Sequence, residues 1–469
     1  ASTAGGSLLL ARSAATRSGG VAALSAARLR SRTTASAPGR LRSSGGLLEV
    51  ELVARRSRIG IPGGPATALT YNGLLPGPLL EVEPGDTVRI LLRNQLDRPT
   101  NLHYHGLHIS PTGIADNVFL SVPPGGSQRY EFRLPPDHPS GLFYYHPHRH
   151  GTVADQVFGG LGGPLIVRGA LDRIPELRAA SEHILFLKDL PANDAVPPLA
   201  RGMGPGMGMG RGAGMGAMLG REGPVLTVNG QLRPEIPMPA SGLLRLRILN
   251  GSNARFYRLA LEGHPFHLIA TDAGPLGAPV EVEEVLLAPG ERVDALVRAG
   301  GRSGRFRLLD LPYDRGSGHG MGMGPGGMGM GRHPMGRRGG LGSPEQWDPG
   351  DPIALAILIS DGEAPPPPPP SRLLPVEPLG DPLRTRRFLL SHGMEPGLGM
   401  VFLINGRAYD HTRIDTRVRL GETEDWEIVN AGVMDHPFHL HVHRFQVLSR
   451  DDRPEPFLAW KDTVLVKVG

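Results

Sequence analysis

The 469-residue chain contains no cysteine. That excludes disulfide staples, zinc–thiolate sites and thiol catalysis, and it leaves the compartment open. No apolar run approaches the roughly 18 residues of a membrane helix, so no membrane span is expected. Acidic residues are missing from residues 1–48, which hold seven arginines: Arg12, Arg17, Arg28, Arg30, Arg32, Arg40 and Arg42. Against a formal net charge of +5, those arginines leave the remainder slightly acidic. The remainder has no basic stripe with interleaved aromatics, so nucleic acid is not an expected partner. Residues 1–46 are rich in Ala, Ser, Gly and Arg, a composition that buries little apolar surface. They are expected to be disordered or the remnant of an export signal, with Leu8-Leu9-Leu10 followed by Ser13-Ala14-Ala15 as its end. A periplasmic or secreted location follows from the second reading.

What is present repeats three times. Asn-Gly pairs stand at Asn72-Gly73, Asn229-Gly230 and Asn405-Gly406, and an apolar strand ending in Asn94, Asn250 or Asn430 follows 22, 21 and 25 residues later. Histidine comes next in each copy, at His103, His264 and His436. Val88, Ile90 and Leu92 alternate with Thr87, Arg89 and Leu91, as in a half-buried strand. Pro-Gly turns at Pro84-Gly85, Pro124-Gly125 and Pro289-Gly290 punctuate the pattern. Many short strands with regular turns predict an all-β, Greek-key sandwich architecture. The expected units are residues 47–170, 178–362 and 380–469, with a proline-rich linker at 363–379 built on Pro365–Pro370, a stiff polyproline spacer.

Three histidine clusters stand out: His103-Tyr104-His105, His146-Pro147-His148 and His436-Pro437-Phe438-His439-Leu440-His441. Residues i and i+2 of a strand share a face, so each His-X-His offers two imidazoles side by side. Two such units on neighbouring strands could surround a small metal cluster. Imidazole suits copper, zinc, iron and nickel alike, and ligand type alone leaves the metal open. A single His-X-His can be surface polarity, but three in one chain, two of them in one unit, are hard to explain that way. His108, His150 and His443 lie one step outside the motifs and read as supporting or surface residues. His264-Pro265-Phe266-His267 copies the third motif, but Ile269 replaces its last histidine, so no metal is expected there.

These three motifs resemble the first three copper motifs of multicopper oxidases, and Trp460-Lys461-Asp462-Thr463-Val464 resembles the stretch that follows the third. The resemblance spans about residues 47–469 and implies three cupredoxin-like domains. It further implies that His103 and His439 bind type 2 copper, that His105, His146, His148 and His441 bind the type 3 pair, and that His436 binds type 1 copper, where a reductant delivers electrons. Asp116 stands where the family often has an acid assisting proton supply to oxygen; on its own it reads equally well as a loop aspartate.

The family's fourth motif, His-Cys-His followed by His and an axial Met, has no counterpart in a chain without cysteine. In the first copy, Gly125 is followed 21 residues later by His146; the third copy is at the matching turn at Lys467-Val468-Gly469. The expectation is a C-terminally truncated third domain, an exposed sheet edge, and a chain inactive as it stands. Ten of the 14 methionines fall in two glycine-rich inserts of the second unit, at 201–220 and 315–340. As backbone they read as low-complexity loops, but thioethers are soft ligands suited to Cu(I), and the inserts resemble those of bacterial cuprous oxidases. The leading expectation is a copper oxidoreductase coupling one-electron oxidation of Cu(I) or a small phenolic reductant to reduction of O2 to water. A non-enzymatic copper-binding or scaffold protein on the same fold is the alternative, separated from it by copper content and oxidase activity. A copper nitrite reductase fits less well, because those enzymes typically use two such domains.

Overall fold

A computed structural model describes residues 39–61, 64–191, 220–301, 303–315, 351–362, 366–395 and 399–469. The export-signal and methionine-insert readings therefore fall outside the described residues. Strands dominate, and they form three successive groups.

The first group is a sandwich of two sheets. One runs Gly64–Tyr71, Leu47–Ile61, Thr87–Asn94, Ser127–Arg133; the other runs Arg40–Arg42, Leu79–Val82, Gly163–Val167, Gly141–His146, His103–His105. Val88, Ile90 and Leu92 are fully buried between them with Leu52, Tyr104 and Phe143, so the alternation read from the sequence points inward as expected. The second group repeats the plan with six- and five-stranded sheets, the former placing Leu243–Asn250 between Ser181–Leu190 and Arg292–Arg298. Its core gathers Leu246, Ile248, Phe266, Ala295 and Leu358.

The repeated asparagines perform the same task in each copy. Asn72, Asn229 and Asn405 all take positive φ (57°, 53° and 53°), which asparagine and glycine tolerate in a tight hairpin turn. Each Oδ1 accepts a backbone N–H from the strand paired with the one that leads into the turn, from Val53, Phe186 and Leu389 respectively. The strand-end asparagines are equally repetitive. The Nδ2 groups of Asn94, Asn250 and Asn430 donate to the carbonyls of Val122, Leu287 and Val466, tying each central strand to the segment before the following turn.

The third group is more open. Glu424–Asn430 pairs with Arg384–Glu395, followed outward by Gly399–Ile404 and Arg407–Ala408. In the first group the equivalent strand lies between two partners; among the described residues Glu424–Asn430 has a partner on one side only. Leu383, Phe402, Ile404 and Leu420 are exposed at 68%, 49%, 49% and 99%. A sheet edge and an apolar face are thus both uncovered here, the condition that invites further pairing. The described part of the proline-rich segment is not a free spacer. Leu373 and Leu374 donate backbone N–H bonds to Gly277 and Leu276 and pack against the second group. No described helix is long and apolar enough to cross a membrane.

Candidate metal centre

Six histidines meet where the first and third groups touch. His103 and His105 point from one short strand, with ring centroids 5.1 Å apart, as the i, i+2 rule requires. His146 ends the neighbouring strand Gly141–His146, in register with His103. His148 lies just beyond that strand, so its placement depends on the turn; its backbone N–H is held by Asn101 Oδ1 at 2.6 Å. His439 ends the strand His436–His439, which pairs antiparallel with Thr463–Val466, and His441 follows beside Val442 at φ 68°. The rings of His105 and His439 stack at 3.7 Å; those of His103 and His441 lie 4.1 Å apart, and those of His148 and His441 4.8 Å.

The outer nitrogens are already committed. His103 Nδ1 lies 2.9 Å from Asp116 Oδ1, His146 Nδ1 donates to the Pro147 carbonyl at 2.8 Å, and His439 Nδ1 donates to the Asp462 carbonyl at 2.8 Å. An imidazole that donates from Nδ1 keeps its lone pair on Nε2. Those Nε2 atoms face inward: His103 and His439 oppose each other at 3.4 Å, and His105 and His146 at 2.8 Å. His103, His105 and His439 each offer a ligand atom within 4.8 Å of the others. In His103 and His439, whose Nδ1 atoms are both committed, the opposed Nε2 lone pairs repel unless a cation lies between them. The donor set therefore fits a metal, and outer hydrogen bonds to carboxylate and carbonyls are the usual means of aiming such ligands.

Electrostatics agree. Burial, reinforced by the neighbouring imidazoles, holds His103 and His105 well below the ordinary histidine range. Burial and His148 bring His146 down to about 3. All three are thus neutral, as metal ligands must be. Asp116 is pushed up to about 7 by burial, against the opposing backbone N–H of Tyr104.

His436 lies apart from the six. It borders a shallow depression with Phe256, Arg315, Phe402, Met434 and Asp435, and its ring lies edge-on to Phe402 at 5.7 Å. His264 is turned to backbone carbonyls, with Nδ1 2.7 Å from Glu262 O and Nε2 3.2 Å from Ala299 O. The backbone N–H of His108 donates to His138 Nε2 at 3.2 Å, and His150 packs beside Tyr409.

Sequence reasoning passed over three neighbours. Asp462 and Thr463 stood in a quoted motif without a role; they back His439, with Thr463 Oγ1 3.1 Å from its Nδ1. Arg292 carries no motif in the sequence; it opens the strand Arg292–Arg298, which also holds Asp294 and Arg298. Gly106 is the tightest point beside them. At φ +80°, a Cβ there would sit 2.5 Å from Asp462 Oδ2 and 2.8 Å from both Arg292 Nη2 and Phe143. Gly106→Ala combines a left-handed backbone penalty with overpacking of a filled core. It is expected to lower the free energy of unfolding by about 2–5 kcal/mol, measured by urea denaturation; an unchanged midpoint would contradict this packing.

Comparisons with known proteins agree with this geometry. Sequence models described as multicopper oxidase match residues 54–171, 203–314 and 381–469. The chain belongs to the multicopper oxidase family. It is 28% identical over 411 residues to cell division protein FtsP of Dickeya dadantii (strain 3937), covering 85% of this chain and 76% of that one. It is 26% identical over 412 residues to multicopper oxidase mco of Staphylococcus epidermidis, covering 86% and 76%. Among solved structures it resembles a multicopper oxidase of Campylobacter jejuni described as a metallo-oxidase, with a TM-score of 0.73, 27% identity and coverage of 94% and 88%. The laccase-like CueO of Ochrobactrum sp., described as active towards lignin model compounds, gives a TM-score of 0.72, 26% identity and coverage of 92% and 91%. The family is that of copper oxidoreductases with cupredoxin-like domains.

Proposed function

We propose that this protein is a copper-dependent oxidoreductase coupling one-electron oxidation of Cu(I) or a phenolic reductant to reduction of O2 to water. The observation that carries this reading is the convergence of six imidazoles, three buried and three half-buried, from two separate strand groups, with the Nε2 atoms of His103, His105, His146 and His439 facing one another. His103 and His439 would hold one copper, and His105, His146, His148 and His441 a pair. Bound copper supplies the one-electron redox chemistry and the place where oxygen is reduced. Asp116 accepts the Nδ1–H of His103 and, with its carboxyl near 7, can hold or release a proton beside the cluster. His436 would contribute a ligand to a type 1 copper, where a reductant delivers electrons, and the strand His436–His439 joins that position to the cluster ligands His439 and His441. A periplasmic or secreted location accords with this chemistry.

Cu(I) is the favoured reductant. Gly220 and Arg315, which adjoin the two methionine-rich segments in sequence, both border the depression at His436. A relative described as a metallo-oxidase points the same way, while one described as active on lignin compounds keeps phenols open. A second reading, a scaffold that turns over no substrate, draws on relatives named cell division protein FtsP.

Copper content and oxidase turnover, measured together on the copper-loaded chain, separate them, because a scaffold oxidises neither Cu(I) nor a phenol. Copper retained after dialysis is expected, with no intense band near ~600 nm because no thiolate is present. Deleting residues 201–218 and 319–335 is expected to remove Cu(I) bound in competition with a chromogenic chelator while sparing Cu(II) in the cluster. A chain that retains no copper favours the scaffold, and equal Cu(I) binding after deletion removes the case for Cu(I).

A further inference from the structure

Among the described residues, the second strand group supplies no imidazole to the cluster, yet it sends one fully buried cation to the cluster's back wall. Arg292 uses all five guanidinium N–H bonds. Nε donates to the Leu142 carbonyl in the first group at 3.2 Å, Nη1 to the Gly290 carbonyl at 2.9 Å, and Nη2 to the Asp272 carbonyl at 2.7 Å. The remaining two form a fork on Asp462 of the third group, at 2.8 and 2.5 Å. One side chain thus touches all three groups.

Beyond the fork the contacts reach the imidazoles. Asp462 Oδ1 accepts the Thr463 hydroxyl at 2.7 Å. That hydroxyl lies 3.1 Å from His439 Nδ1 and 3.5 Å from His105 Nδ1. The Asp462 carbonyl accepts both His439 Nδ1–H and the Leu440 backbone N–H. The strand carrying Asp462 is anchored again next door, where Lys461 Nζ meets Asp272 and Glu291 at 2.7 and 3.1 Å. Gly290, on the turn before Arg292, comes so close to His105 that a Cβ would lie 3.1 Å from its ring. The cluster is assembled between the first and third groups, and its register is set from the second.

We propose that Arg292 is the positioning residue of the histidine cluster, holding Asp462 and Thr463 so that His439 and His105 present Nε2 toward the ligands of the first group. This rests on the reading of the cluster as a copper site. Lysine keeps the charge but loses the fork, so Arg292→Lys should let the Asp462–Thr463 segment shift while leaving the cores intact. Thr463→Val breaks the last link without touching the ion pair. Arg245→Lys is the control: Arg245 is a buried fork on Asp294 that also reaches Asp172 and touches no imidazole.

The experiment measures Cu(II) affinity by chelator competition and the electron paramagnetic resonance spectrum of the copper-loaded full chain, with urea stability recorded in parallel. Arg292→Lys and Thr463→Val are each expected to weaken copper binding by about 10–100-fold, the usual effect of losing an outer partner of a metal ligand, and to alter the spectrum. Arg245→Lys should lower stability without either change. Wild-type affinity and spectrum in Arg292→Lys and Thr463→Val, or an equal loss in Arg245→Lys at matched stability, would overturn the proposal while the copper site stands. A wild-type chain that binds no copper would overturn both.

Discussion

Replacing His439 with alanine is expected to empty the histidine cluster of copper. The residue stacks on His105, opposes His103 and donates to the Asp462 carbonyl, so it joins the two halves of the site. Losing a direct ligand should cost more than the about 10–100-fold expected for an outer partner, and copper should wash out on dialysis. The metal-free protein should not lose stability in proportion, because the substitution also removes an opposed lone pair. His436→Ala should leave cluster copper in place, since His436 faces a different depression. Metal analysis of both variants after identical loading checks this. A His439→Ala chain that retains copper as the wild type does would sink the assignment.

Much of this site is legible in the sequence because strand periodicity is simple. His103 and His105 share a face for the reason Val88, Ile90 and Leu92 do. His148 and His441 are harder to place, since each lies beyond its strand and depends on a turn. The long-range partners were the least legible. Nothing in local sequence says that Arg292 will meet Asp462, 170 positions away; that contact exists only because three similar groups pack around one point.

The internal repeat also shows why the described part of the middle group does not build such a cluster at the equivalent position. His264 occupies the position of His436, yet Glu262 and Ala299 carbonyls take both its nitrogens, and Ile269, at the position of His441, is buried with Leu243 and Leu296. The same strand plan has been filled with apolar contacts in one copy and imidazoles in the others. In the third group, Phe402 and Ile404 remain uncovered on the sheet next to His436. Local pattern therefore dictates the strands, whereas chemistry depends on which groups face one another.

The metal-free protein is expected to be unusually sensitive to mild acid. Among the described residues, burial holds ten histidines below their ordinary range: His103 and His105 well below it, His138 at about 4, His146 at about 3, His441 at about 2, and His148, His183, His267, His436 and His443 also lowered. Each favours the folded state while neutral. Their contribution is complete above the unfolded value of about 6.5 and is lost as pH falls below it, because the unfolded chain takes up protons that the folded one refuses. Three buried carboxyls act in the opposite sense. Asp116 and Asp310 are raised to about 7, and Asp272 to about 6, so their contribution is greatest below the ordinary carboxylate range and declines as pH rises through 6–7. The lowered histidines outnumber the three raised carboxyls, so the unfolded chain carries more protons than the folded one between pH 5 and 6, and each extra proton costs about 1.4 kcal/mol of stability per pH unit. The urea midpoint of the metal-free chain should therefore drop steeply from pH 7 to pH 5. Copper loading should move the fall to lower pH, since ligand histidines bind metal only when unprotonated. A midpoint that stays level across this range, with or without copper, would mean that these imidazoles are not held neutral inside the fold.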